Sequence, residues 1–91
     1  MATIEIAKNI SLSTERAESS YGVPVLVIGE TAYGPGDFES ALFAELKKEA
    51  APFEFLIGMS SGETELTALV SQEYGYESEE MKMLNRFFLI P

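Results

Sequence analysis

The stretch that most constrains this chain is Val23-Pro-Val-Leu-Val-Ile28, followed by Gly29-Glu30 and Thr31-Ala-Tyr33. Five β-branched or leucine side chains in six positions leave no polar face. Such a run fits a strand buried on both sides and therefore central in its sheet. Pro24 is tolerated only at the start of that strand, where no ladder hydrogen bond is lost. Glycine first in a two-residue connection is the signature of a type II′ hairpin turn, so Thr31–Tyr33 is expected to return antiparallel.

The flanks fill in around this hairpin. Thr3-Ile-Glu-Ile6 alternates apolar and polar residues and reads as a half-buried strand. Ser11 to Ser20 is polar, and with Ser13 as N-cap it predicts a short helix over residues 14–20, ended by Gly22. Gly34-Pro-Gly36 breaks the return strand, and Asp37 is placed to cap a helix from Phe38 to Ala50. In that helix Phe38, Leu42 and Leu46 form an apolar stripe with Ala41 beside it. Glu39 in its first turn and Lys47 and Lys48 near its last suit the helix dipole. Pro52 stops it.

Phe53-Glu-Phe-Leu-Ile57 predicts another strand. Ser60-Ser-Gly-Glu63 matches a capping box that opens a helix with Leu66, Leu69, Val70 and Tyr74 on one stripe and Gly75 after its end. Ser78 then caps a last helix carrying Met81, Leu84 and Phe88. The expected order is β-α-β-β-α-β-α-α. Residues 1–91 thus read as one α/β (or α+β) domain, with helices covering a small mixed sheet.

Composition narrows the chemistry. There are no cysteines, histidines or tryptophans, so disulfides, thiolates and imidazole are absent, and with them the usual nucleophiles, general bases and transition-metal ligands. No apolar run approaches the roughly 18 residues of a membrane helix. Met1 to Ile10 lacks a signal-peptide pattern. A cytoplasmic setting is expected, including a host cytoplasm or a virion. Fifteen acids against six bases give a net charge of −9, which opposes direct binding to nucleic acid or anionic lipid.

The segment Tyr21-Gly-Val-Pro-Val-Leu-Val-Ile-Gly-Glu-Thr-Ala-Tyr-Gly-Pro-Gly-Asp-Phe38 resembles the second half of thioredoxin- and glutaredoxin-like domains. There a Val-Pro step, usually cis, opens an apolar strand, and a Gly-containing hairpin leads into the closing helix. With Ile4 to Tyr21 as the preceding strand and helix, the resemblance covers residues 3–50. It implies a structural turn at Pro24. The family's preceding strand and helix and its Cys-x-x-Cys are missing, so no redox activity carries over. Phe53 to Tyr74 would supply an equivalent strand and helix only in permuted order.

Other motifs carry less chemistry. Gly58 to Thr64 joins a strand to a helix N-terminus, a setting suited to phosphate. Yet Glu63 stands where a P-loop needs lysine, and the capping box accounts for the same residues. Leu66 to Phe87 has helix-turn-helix spacing. Glu79-Glu80 at the front of its second helix opposes phosphate contact, which leaves a plain helical hairpin. Glu77, Glu79 and Glu80 are hard-cation ligand types, but no Asp-x-Asp-x-Asp loop accompanies them.

Two features point to protein partners. Glu49 to Met81 holds eight acids and no base, and the end Phe87-Phe-Leu-Ile-Pro91 is apolar where chain ends are ordinarily polar. That end predicts either an edge strand or a contact with a neighbouring subunit. The expectation is a non-enzymatic interaction or assembly protein without cofactors, such as an accessory subunit of a bacterial or phage assembly, binding a basic protein or itself as a homo-oligomer. Expected contact residues are Glu63, Glu65, Glu73, Tyr74, Tyr76, Glu77, Glu79, Glu80, Phe87, Phe88, Leu89 and Ile90, with Tyr33 a further aromatic candidate. The alternative is an acidic inhibitor, a nucleic-acid mimic that blocks the basic groove of a host enzyme such as a defence nuclease. It requires the acids to share one face.

Overall fold

A computed structural model describes residues 3–19, 21–49 and 61–88. Its elements are β1 (Thr3–Ala7), β2 (Ile10–Ser13), β3 (Val25–Ile28), β4 (Thr31–Tyr33), α1 (Glu39–Glu49), α2 (Gly62–Tyr74) and α3 (Glu79–Phe88). The four strands form one sheet in the order β1-β2-β3-β4. The class is α+β, as the mixture of period-two and helical patterns implies.

The central hairpin forms as read. Ile28 pairs with Thr31 across Gly29-Glu30, and Gly29 alone of the two turn residues has positive φ, at 65°. Positive φ at the first central position only is the type II′ pattern. All described peptide bonds are trans, Val23–Pro24 included.

The polar stretch after Asn9 departs from expectation. Instead of a helix over 14–20, the chain forms β2 and then bends and turns through residues 14–19. The reason is visible in Ile10-Ser-Leu-Ser13, which alternates with period two and pairs Ile10 with Ile28 and Leu12 with Leu26. Ser13, expected to cap a helix, is a buried strand residue. Lys8-Asn9 supplies the turn, with Asn9 at φ 64°, a conformation asparagine adopts more readily than most residues. Because β1–β2 and β3–β4 turn through two residues, the mixed sheet becomes antiparallel in every described ladder. The strand expected at Phe53–Ile57 lies outside the described residues.

Alternation gives the sheet two unlike faces. Ile10, Leu12, Leu26 and Ile28 pack with Phe38, Leu42, Leu46, Leu66, Val70, Met81, Met83, Leu84 and Phe87 in one core. The other face carries Ser11, Ser13, Val25 and Val27, paired across β2 and β3. The α1 stripe behaves as its spacing demands: Phe38, Leu42 and Leu46 are all buried.

The helix caps are placed by tertiary contacts as well as by local sequence. Asp37 does not cap α1; its carboxylate accepts from the Gly34 N–H at 3.0 Å, and the Phe38 carbonyl receives the Leu42 N–H. At α2 the cap is Ser61, which accepts the Thr64 N–H at 3.2 Å. The reciprocal glutamate comes from another helix: Glu39 accepts the Gly62 N–H at 2.6 Å. This approach requires glycine, since a Cβ at Gly62 would meet Glu39 Cγ at 2.5 Å and Phe38 Cε2 at 2.8 Å. Gly75 closes α2 with φ 97°, and Ser78 caps α3 through the Met81 N–H.

Candidate interaction surface

The residues around the α2–α3 turn are assembled from both ends of the chain. Tyr74, at the end of α2, lies half-buried against the edge strand β1, and its hydroxyl donates to the Glu5 carbonyl at 2.7 Å. That bond occupies a backbone acceptor on the strand that ends the sheet among the described residues. Burial raises the Tyr74 pKa above its ordinary 10.0, and the nearby charges of Glu73, Glu80 and Glu5 push the same way. The charges of carboxylates on β1, α2 and α3 thus all act on this phenol. Among the described residues no group of three carboxylates is close enough to hold a metal ion.

Two residues beyond that phenol, Tyr76 stands 74% exposed. It borders a shallow trough of about 490 Å³ along α2, lined also by Ser61, Glu63, Thr64, Thr67 and Ala68. On the far side of the turn, Ile4, Glu79, Glu80, Met83 and Arg86 line a second groove of about 190 Å³ between β1 and α3. That volume is below the roughly 300 Å³ at which small-molecule sites begin. It suits a side chain, not a cofactor.

The expected contact residues divide. Glu63, Glu73, Tyr76, Glu77 and Glu79 are exposed and Glu80 is half-buried; all but Glu63 belong to the end of α2, the turn and the start of α3. Glu65 is 5% exposed, because a step of two residues rotates it about 200° from Glu63 around the helix. Phe87 is also withdrawn from the surface. It is fully buried and meets Phe38 edge-on at 5.7 Å between ring centroids, while half-buried Phe88 packs on both. Residues 87 and 88 are thus the last turn of α3, neither an edge strand nor a free contact. Leu89 and Ile90 lie outside the described residues. Tyr33 is half-buried against the core.

Among the described residues, the acids of the base-free stretch do not share one face. The outer side of α2 presents Thr64, Ala68 and Gln72, all exposed, with exposed carboxylates only at its two ends, Glu63 in the first turn and Glu73 in the last. The donors a phosphate would need at the start of α2 are engaged, Gly62 by Glu39 and Thr64 by Ser61.

Ile4, Glu5 and Arg86 are surface participants that sequence spacing did not indicate, and the buried Met83 floors the groove between them. Glu5 and Tyr74 are 69 positions apart, so only the packing of α2 on β1 brings them together. Tyr21 was also missed as an exposed aromatic. It is fully exposed at φ 56°, beside a groove of about 280 Å³ lined by Glu18, Val23 and Tyr33 among others. No helix among the described residues is long and apolar enough to cross a membrane. Comparison with family models, curated proteins and solved structures finds no match.

Proposed function

We propose that this is a non-enzymatic interaction or assembly protein that docks a cationic segment of a protein partner at the α2–α3 turn. The observation that carries the reading is the exposed Tyr76 ring at this turn, two residues after Tyr74, whose phenol feels the charges of Glu73, Glu80 and Glu5. An aromatic face attracts lysine and arginine through its quadrupole, and tyrosine is enriched at protein interfaces. Carboxylates alongside steer the approach of a basic partner. The setting remains that of an accessory subunit in a larger assembly. The inhibitor alternative uses the same turn but needs a broader carboxylate face than the threonine and alanine surface of α2 provides.

The test is a titration with a lysine-rich peptide, followed by backbone amide shifts. Shifts concentrated on residues 73–80 and on Glu5 are expected. Tyr76→Ala should weaken binding by roughly fivefold or more, the effect of losing an anchor that supplies over 1 kcal/mol. Shifts spread equally over Glu15, Glu18 and Glu30 would mean attraction to net charge alone and would end this reading.

A further inference from the structure

The groove between β1 and α3 has a charge order that the turn does not. Along one side of α3 stand Glu79, Met83 and Arg86, with Glu80 on the flank. Glu79 and Arg86 are one heptad apart, so they project from the same side about 10 Å apart along the axis. The acid is at the helix N-terminus and the base in the last turn, with half-buried Ile4 and, beneath it, the floor of buried Met83 as the apolar middle. Lys82 already has an acid, Glu79 at 3.7 Å. Arg86 is exposed and has no ion pair among the described residues.

Such an arrangement complements itself when reversed. A second α3 laid antiparallel across a two-fold axis near Met83 brings each Arg86 to the other copy's Glu79 and Glu80. An isologous interface requires this property, that one patch be its own partner. Antiparallel helices also place each dipole end near its opposite. A basic segment fits the groove less well, because Arg86 would face it with like charge.

We infer that the β1–α3 groove is the contact of a weak homodimer, a second copy of this chain being its occupant. The inference rests on the interaction reading above and shares Glu79 and Glu80 with that turn, but it leaves Tyr76 outside the contact. The groove is side-chain-sized and the chain carries −9, so the dimer forms only at high protein concentration.

Sedimentation equilibrium up to millimolar protein, with Glu79→Arg and Arg86→Glu variants alone and mixed, tests it. Wild type should self-associate, and each variant alone should be weakened about tenfold or more by like charges at close quarters. The equimolar mixture should recover a heterodimer, since the swapped charges again oppose. Both substitutions are at exposed positions, and circular dichroism checks that the folds are kept. A wild type that stays monomeric throughout, or a mixture no tighter than its components, would overturn the dimer. Either result leaves peptide binding at Tyr76 standing, whereas a failed peptide titration with intact charge-swap behaviour would remove the turn and keep the groove.

Discussion

The two faces of the four-stranded sheet are held by different physics. On the helical face, Ile10, Leu12, Leu26 and Ile28 join side chains from three helices in one apolar cluster. On the other face the strands present Ser11, Ser13, Val25 and Val27, and the contacts are largely polar. Ser13 shares a hydrogen bond with Thr3 at 2.9 Å and accepts the Glu15 N–H at 3.0 Å. Arg16 forks onto Glu18 at 3.0 and 3.1 Å and donates to the Glu30 carbonyl at 3.4 Å. That fork raises the Arg16 pKa and lowers the Glu18 pKa, but both groups face solvent. The difference teaches where stability resides. Apolar burial is close to additive in area, while exposed ion pairs and single hydrogen bonds contribute little each.

The largest break in this comparison should come from Phe87→Ala, which empties the ring cluster with Phe38 and Phe88. A loss of about 3–5 kcal/mol is expected from a buried phenylalanine truncation, read as a lower urea midpoint. Removal of Phe87 to Pro91 would therefore test folding before it tested assembly; a truncation meant to probe contacts has to begin after Phe88. On the polar face, Ser13→Ala should cost about 1–2 kcal/mol, because the Glu15 N–H and the Thr3 hydroxyl lose a part-buried partner. A Ser13→Ala loss equal to that of Phe87→Ala would erase the distinction between the faces.

The smallest effect sharpens the picture at the edge that joins them. Tyr74→Phe removes one hydrogen bond to the Glu5 carbonyl, worth about 0.5–1 kcal/mol. Its pH signature is more telling than its size. Because the folded Tyr74 pKa is raised above 10.0, the native state holds the phenolic proton more tightly than the unfolded chain does. The stabilisation is complete below about pH 10 and is lost as pH rises toward the folded value. Thermal melts in alkaline buffer should therefore fall more steeply for wild type than for the phenylalanine variant. Parallel curves would detach Tyr74 from the surrounding carboxylates.

Much of the fold was legible because its signals are short-ranged. The Gly29-Glu30 turn, the Phe38–Leu42–Leu46 stripe, and the Gly75 and Ser78 caps each lie within a few residues of what they organise. The β2 strand was equally local, in the alternation of Ile10 and Leu12 with two serines. There the abundance of hydroxyls, a weaker indicator of helix ends, masks the period. The capping pair at α2 was half visible: a serine does cap it, one residue later than the motif suggested, and its carboxylate partner is Glu39 from a different helix.

The candidate surface was legible only as a composition. Sequence alone determined that this chain has no thiol or imidazole, is strongly acidic, and gathers eight acids in a stretch free of bases. It also determined the central hairpin and the helical stripes, because turn stereochemistry and side-chain periodicity act between near neighbours. Only the tertiary structure decided which acids reach solvent together. Helical rotation turned Glu65 inward, core packing consumed Phe87, and the seating of α2 on β1 carried Glu5 to Tyr74. Those outcomes depend on contacts between residues far apart in the chain, and no local propensity encodes which distant partner fills a given space.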